Sequence, residues 1–203
     1  MTATARGTAL LPHHLDDLRS SGLTDATIAA AGVYSESDPD KIRRLLRWNR
    51  SADALGSCLC FPYRQLSGEL NGFAMVKPDS PRIFEEKTNK YEHPIGVSSK
   101  PYFTRGAIDE IKDQFYGCLL FTEGQKKALA SDQAGYPCIG LTGPWGWMKK
   151  DSDPRQLSDD LAAINWTGRR VVIIFDTDPR RNFSVNFGLS ELARALTEHG
   201  AIV

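Results

Sequence analysis

The sequence predicts an α/β fold: a parallel sheet with flanking helices in the C-terminal half, preceded by a small helical and β-hairpin region. From residue 117 onward, short apolar runs alternate with amphipathic segments, which is the pattern of strands and helices in a parallel sheet. The run VVIIF at 171–175 is continuous, as expected of a strand covered on both faces. Before residue 58, apolar residues recur instead at helical spacing.

The first fifty residues predict three short helices. Leucines recur at helical spacing over 11–18, Thr24 can cap a second helix that ends at Gly32, and a third begins at Asp38 and continues to Trp48. The third helix carries basic residues, which we interpret either as a solvated surface or as a phosphate-contacting face. They are Lys41, Arg43, Arg44, Arg47 and Arg50.

The middle of the chain predicts a β-hairpin followed by an irregular segment. Residues 58–64 and 69–78 read as strands, and QLSG between them supplies turn residues. Residues 78–101 are rich in Pro, Lys, Glu and Asn and show little periodicity, which is typical of a loop.

The C-terminal half predicts the regular part of the fold. Strands are expected at 117–124, 137–143, 169–176 and 201–203, and the last of these looks cut short, so the domain is expected to be truncated in its fourth strand. Helices are expected at 125–135, from about 154 to 164, and at 184–200.

Composition sets limits on partners and location. Lys+Arg and Asp+Glu both number 25, so any binding of nucleic acid has to rest on local basic patches. No apolar run at the start is long enough for a signal peptide or membrane span, which predicts a cytoplasmic protein without membrane association. The four cysteines lie in or beside apolar runs without a CxxC pair and are expected to be buried thiols.

Three acidic residues follow predicted strands. Glu123 ends the strand CLLFTE, and Asp176 and Asp178 follow VVIIF. Ligands gather at the carboxyl ends of strands in open parallel sheets, and carboxylates are the ligands that Mg²⁺ or Mn²⁺ prefers. A cation held there can stabilise the charge of an in-line displacement at phosphorus. Each motif also has a simpler explanation, since Glu123 precedes a helix N-terminus and a DxD pair is common in turns.

The order LLFTEGQKKALA, IGLTG and VVIIFDTD is similar to the Toprim domain of bacterial primases, topoisomerases and certain nucleases. Upstream, FPYRQLSGELNGFAMV and NKYEHPIGVSSKPYF resemble the small subdomain of bacterial replicative primases. Over nearly its whole length the chain resembles Toprim-like domains of unknown function associated with phage, plasmid and other mobile-element replication proteins.

This resemblance implies roles for individual residues. Glu123, Asp176 and Asp178 would be the catalytic and metal-binding acids, with Mg²⁺ or Mn²⁺ as cofactor. Gly124 and Gly140 would shape the backbone at the site. Basic positions would contact nucleotide phosphates or template, and they are Arg64, Lys77, Lys90, Lys100, Lys126 and Lys127. The alternative for the basic positions is ordinary solvation of loops.

The implied organisation is an N-terminal helical region at 1–50, a small primase-like α+β subdomain at 51–112 and a Toprim-like domain at 113–203. The implied function is primase-like nucleotidyl transfer on single-stranded nucleic acid with nucleoside triphosphates, alongside a helicase domain or protein. A Toprim-type nuclease and a non-catalytic nucleic-acid-binding module of a larger replication protein remain alternatives. A phosphatase that uses Asp176 as nucleophile is disfavoured, because its motif would open the fold and be followed by Gly-Thr.

Overall fold

The computed structural model describes residues 9–113, 117–175 and 183–203, and the chain divides into two compact units. The first comprises Met1–Tyr63 and Leu70–Val97, and the second Arg64–Glu69 and Ser98–Val203. The division into 1–50, 51–112 and 113–203 stays a prediction.

The first unit contains the predicted helices and hairpin together with three further short strands. Its elements are α1 (Pro12–Ser20), α2 (Asp25–Ala31), β1 (Tyr34–Glu36), α3 (Pro39–Leu46), a 3₁₀ turn (Asp53–Leu55), β2 (Cys58–Arg64), β3 (Leu70–Pro78), β4 (Arg82–Phe84) and β5 (Lys87–Asn89).

The predicted helix caps are confirmed. The Thr24 hydroxyl accepts the N–H of Thr27 at 3.3 Å and Gly32 ends α2 with φ 71°. The Asp38 carboxylate accepts the N–H of Asp40 at 2.9 Å. These bonds satisfy N–H groups that have no partner within the helix.

One sheet, in the order β1-β2-β3, carries the core of the first unit. Strand β1 runs antiparallel to β2, with Tyr34 opposite Cys60. Ile42 and Leu46 of α3 pack with Cys58, Cys60 and Val76 in a buried cluster. The amphipathic helix therefore covers one face of the hairpin.

The segment 78–101 differs from its prediction as a loop. Strands β4 and β5 pair antiparallel within it, with Ile83 opposite Thr88. Further along, Val76 and Glu92 exchange two backbone hydrogen bonds of 2.9 and 2.8 Å. The strands are three residues long, which is too short for the two-residue alternation to be read from sequence.

The second unit contains the alternating elements that the sequence predicts, preceded by an additional strand and helix. They are β6 (Tyr102–Phe103), α4 (Arg105–Asp113), β7 (Cys118–Glu123), α5 (Gln125–Gln133), β8 (Cys138–Leu141), α6 (Asp159–Ala162), β9 (Arg170–Ile174) and α7 (Phe183–Glu198).

A four-stranded, mostly parallel sheet in the order β6-β8-β7-β9 organises this unit. Strands β8 and β9 both run parallel to β7, and β6 runs antiparallel to β8 at the edge. Within the predicted strand at 201–203, Ile202 forms an isolated parallel bridge with Arg170. The core includes Phe121, Ile139, Trp147, Trp166 and Leu192, all buried.

Two details of the second unit differ from prediction. The helix expected from about residue 154 begins at Asp159, because the chain before it pairs with another segment: Leu157 bridges Met148 and Gln156 accepts the N–H of Lys149 at 2.9 Å. Strand β9 is covered on one face, while Val172 is 43% and Ile174 is 55% exposed. A continuous apolar run does not reveal which of its faces will be covered.

All four cysteines are free thiols. Cys58, Cys60 and Cys138 are buried, as predicted, and Cys118 is partly exposed. Burial raises the pKa of Cys58 and of Cys138 to about 12, which disfavours the thiolate that reacts or binds metal. Among the described residues, the structure contains no helix with the length and apolar character needed to cross a membrane.

One buried carboxyl gives the second unit a pH-dependent stability. The Asp132 carboxylate accepts the N–H of Gly106 at 3.2 Å, which joins α5 to α4. Burial raises the pKa of Asp132 above its ordinary value. The stability that this group contributes is therefore fully present below its ordinary pKa of about 4 and is lost as the pH rises through the raised pKa.

We expect Asp132→Asn to be more stable than the wild type at pH 7 and to lose this advantage as the pH falls through the raised pKa of Asp132 towards about 4. Asparagine keeps an oxygen acceptor for Gly106 but cannot ionise. Urea unfolding across this pH range measures the difference, and Asp113→Asn on α4 is the control. Parallel profiles for Asp132→Asn and the wild type would contradict the expectation.

Candidate functional site

Three strands of the second unit end at the same edge of the sheet. In the parallel register, Glu123 of β7 lies opposite Leu141 of β8, and Thr122 lies opposite Ile174 of β9. The carboxyl ends of β7, β8 and β9 are therefore adjacent. Such an edge is the usual position of ligand sites in open α/β sheets.

Glu123 is the last residue of the central strand and is partly exposed. Gly124 follows with φ 87°, a backbone conformation that favours glycine, and its N–H donates to the Leu141 carbonyl at 2.8 Å. Helix α5 begins at the next residue, Gln125. The Glu123 carboxylate is thus held at a short strand-to-helix turn that is hydrogen-bonded to the neighbouring strand.

The two aspartates predicted to join Glu123 lie outside the described residues. Asp176 and Asp178 belong to 176–182. Phe175, the residue before Asp176 in the sequence, is partly buried against the core of the second unit. Because Ile174 pairs with Thr122, the described part of β9 ends beside the carboxyl end of β7.

Gly140 keeps β8 close to the turn that follows Glu123. A Cβ at Gly140 would lie 2.9 Å from the Gly124 carbonyl oxygen and 3.2 Å from the Ala128 Cβ. Real Cβ atoms essentially never approach backbone so closely. The absence of a side chain at this position is therefore a packing requirement of the candidate site.

Aromatic residues lie near this edge in the loop after β8 and at the start of α7. Trp147 is fully buried in the core and Trp145 is partly buried. The Trp145 ring lies 5.8 Å from that of Phe187, which stacks at 6.2 Å on Phe183. Phe183 is 85% exposed. The sequence did not single out the exposed phenylalanines.

The basic positions of the second unit have different surroundings. Arg64 donates to the Gly68 carbonyl at 3.0 Å, and burial, followed by the charge of Arg105, lowers the pKa of Arg64. Lys100 forms an ion pair of 2.7 Å with Asp160. Lys126 and Lys127 lie in the first turn of α5, which contains no acidic residue.

The basic positions of the first unit also differ from each other. Lys77 forms an ion pair of 2.9 Å with Asp17 in which both side chains are about one-third exposed. Lys90 follows β5 directly and is exposed. The charge of Lys77 is thus compensated by an acidic neighbour, whereas Lys90 faces solvent.

The first unit also contains a basic groove that sequence reasoning did not identify. A cavity of about 900 Å³ is lined by three basic residues, Arg50, Arg82 and Lys87, by one acidic residue, Glu85, and by the exposed side chains of β4. Arg50 and Arg82 lie over the Trp48 ring at 4.2 and 4.9 Å from its centroid, which is a cation–π geometry. Arg82 is also paired with the buried carboxylate of Glu92.

The turn between β4 and β5, at this groove, lacks the residues that usually identify a hairpin turn. Glu85 and Glu86, between β4 and β5, have φ values of 46° and 65°. Such hairpin turns usually contain Asn or Gly. Because Glu85 and Glu86 are not typical turn residues, the sequence does not predict this hairpin.

Comparison with known proteins links this fold to primases. A family described as "Domain of unknown function (DUF3854)" matches residues 109–203. No curated protein sequence gives a significant match.

Two crystal structures show the same fold at low sequence identity. The Aquifex aeolicus primase (zinc-binding and RNA polymerase domains) is 14% identical with a TM-score of 0.59, and the match covers 94% of this chain and 48% of that one. A DNA primase domain from Pseudomonas aeruginosa is 14% identical with a TM-score of 0.53, and the match covers 96% of this chain and 60% of that one. The chain therefore spans about half to three-fifths of the length of these structures.

We expect Gly140→Ala to destabilise the second unit by about 1–3 kcal/mol, because the new methyl group forces the Gly124 turn away from β8. Urea unfolding followed by tryptophan fluorescence measures the loss. Adding Ala128→Gly, which removes the second contact, should not restore stability, because the carbonyl of Gly124 belongs to the backbone. Wild-type stability of Gly140→Ala would contradict the close approach.

Proposed function

We propose that this chain contains a Toprim-type catalytic core for primase-like nucleotidyl transfer, in which Glu123, Asp176 and Asp178 hold Mg²⁺ or Mn²⁺. The observation that carries the proposal is the position of Glu123 at the carboxyl end of the central parallel strand. Strand β9, which precedes both aspartates in the sequence, pairs beside it. The likeness in fold to primase domains supports the same reading.

The proposed ligands Glu123, Asp176 and Asp178 suit a hard divalent cation. All three are carboxylates, which provide the oxygen ligands that Mg²⁺ and Mn²⁺ prefer. Glu123 is partly exposed, so its oxygens remain accessible. A cation bound there would neutralise phosphate oxygens and favour displacement at the α-phosphorus.

The chain's own residues would position the reactants. The hydrogen-bonded turn at Gly124 fixes the backbone that carries Glu123, and a carboxylate not fully engaged with metal would accept the proton of the attacking hydroxyl. Lys126 and Lys127, at the N-terminal turn of α5, would attract the triphosphate of the incoming nucleotide. Gly140 keeps this turn against β8.

The basic groove of the first unit would bind the backbone of a single-stranded template. Arg50 and Lys87 line the cavity, and Lys90 follows the strand that forms its wall. The exposed ring of Phe84 offers a surface on which a base can stack, and the exposed Ile83 side chain beside it offers apolar contact. Arg64, Lys77 and Lys100 complete the proposed basic set; the two lysines would exchange a carboxylate partner for phosphate.

The proposed setting is replication of a mobile element such as a phage or plasmid, in the cytoplasm. A helicase domain or protein would supply the single strand, and nucleoside triphosphates would be the substrates. The proposed domain division remains 1–50, 51–112 and 113–203.

The decisive assay is template-dependent incorporation of labelled nucleotides with Mg²⁺ or Mn²⁺. Glu123→Gln and Asp176→Asn should each lower the rate by on the order of 10²-fold or more, because each removes a charged metal ligand or proton acceptor. The rate should also fall to background when the metal is chelated. Glu198→Gln, near the end of α7, is the control because its carboxylate pairs with Arg194.

The same experiment separates the alternatives. Metal-dependent cleavage of the labelled strand without incorporation would favour the nuclease. Binding of single strands that survives both chelation and Glu123→Gln, without turnover, would favour the non-catalytic module. Equal incorporation by Glu123→Gln and the wild type would refute the assignment of the acids.

The template groove has a separate test in the salt dependence of binding. For single strands, each neutralised phosphate contributes about −0.7 to the slope of log K against log salt. The double variant Arg50→Ala, Lys87→Ala should bind oligonucleotides more weakly and with a slope shallower by about 1.4. Arg19→Ala, which breaks the exposed Arg19–Asp25 pair, is the control, and an unchanged slope in the double variant would exclude this groove.

A further inference from the structure

Two histidines and an aspartate converge in the first unit at a place that the proposed function does not use. His13 and His14 are consecutive residues of α1, and Asp79 follows β3 directly. The Nε2 atoms of both histidines lie 3.0 Å from the same oxygen, Oδ1 of Asp79. The potential ligand atoms of the three residues all lie within 4.8 Å of one another.

We propose that His13, His14 and Asp79 form a binding site for a divalent transition-metal ion of the Zn²⁺ class. Neutral imidazole nitrogens with one carboxylate are a donor set that Zn²⁺ accepts in proteins, whereas Mg²⁺ prefers oxygen ligands. The proposed catalytic acids are oxygen donors only, so the two sites differ in the metal they select. This inference does not depend on the proposed function.

The distances fit such an ion after a small adjustment. Zn²⁺ binds nitrogen and oxygen at about 2.0–2.2 Å, so ligand atoms around a tetrahedral ion lie roughly 3.4 Å apart. The two Nε2–Oδ1 separations are 3.0 Å. An outward shift of the ligand atoms by a few tenths of an ångström would make room for the ion.

A second layer of hydrogen bonds orients the buried ligand. Ser35 Oγ lies 2.7 Å from His14 Nδ1 and accepts the N–H of Leu11 at 2.8 Å. With metal on Nε2, the His14 Nδ1–H would donate to this hydroxyl oxygen, an arrangement that fixes the tautomer of metal-binding histidines. The Asp79 N–H donates to the Ser57 carbonyl at 2.8 Å, which anchors the third ligand.

The exposure of the ligands leaves room for a further ligand. The side chain of His14 is 5% exposed, but those of His13 and Asp79 are 57% and 36% exposed. Water can therefore complete a tetrahedral shell from the solvent side. The ion would connect α1 to the end of β3 across 65 residues of chain, so it would stabilise the folded first unit.

The test uses the full 203-residue chain, freed of metal by a chelator and titrated with Zn²⁺ against a chromophoric competitor. We expect one ion per chain, without competition from millimolar Mg²⁺, and a rise in melting temperature. His13→Ala and Asp79→Asn should each weaken binding by on the order of 100-fold and abolish the rise. Both residues are partly exposed, so their replacement leaves the core intact.

Two control variants separate this site from other zinc ligands in the chain. His93→Ala removes an exposed histidine of the same unit, and Cys58→Ser removes a thiol near Asp79. Both should bind Zn²⁺ like the wild type. The proposal is overturned if no ion binds stoichiometrically, if binding survives His13→Ala and Asp79→Asn, or if it is lost in either control.

Discussion

The parallel pairing of β7 with both β8 and β9 is the constraint on which the rest of the second unit depends. It places Phe121 opposite Ile139 on one side and Ile173 on the other. Phe121 and Ile139 are buried in the core, and the partly buried Ile173 packs against it. The same register aligns the carboxyl ends of the three strands at one edge. Parallel neighbours require crossover connections, which the intervening helices provide. The same strand pairing therefore forms the core and positions the candidate site.

The two proposed metal sites differ in the type of ligand and in the contacts that hold the ligands in place. Glu123 relies on backbone: a glycine turn hydrogen-bonded to β8, kept close by the lack of a side chain at Gly140. His14 relies instead on side chains, since Ser35 and Asp79 contact its two ring nitrogens. Oxygen donors alone favour a hard cation and imidazoles favour a transition metal, which would let the chain distinguish two ions by chemistry.

Much of the fold could be predicted because its signals are local. The caps Thr24 and Asp38, the hairpin and the parallel strands all follow from residues close in sequence. The short strands β1, β4, β5 and β6 could not, because two or three residues do not display a period. The start of α6 was misplaced because its preceding residues pair with 148–149, a partner that periodicity does not reveal.

For the site, the sequence alone determined that Glu123 ends a strand and opens a helix, and that Asp176 and Asp178 follow another strand. Local periodicity and turn residues suffice for that. Which strands are neighbours and which lysines pair with carboxylates, as Lys77 and Lys100 do, follows from the tertiary fold. The fold also brings His13 and His14 to a carboxylate 65 residues away from His14. The physical reason is that these contacts join residues far apart in the chain, and their partners are chosen by packing of the whole unit, which no local pattern encodes.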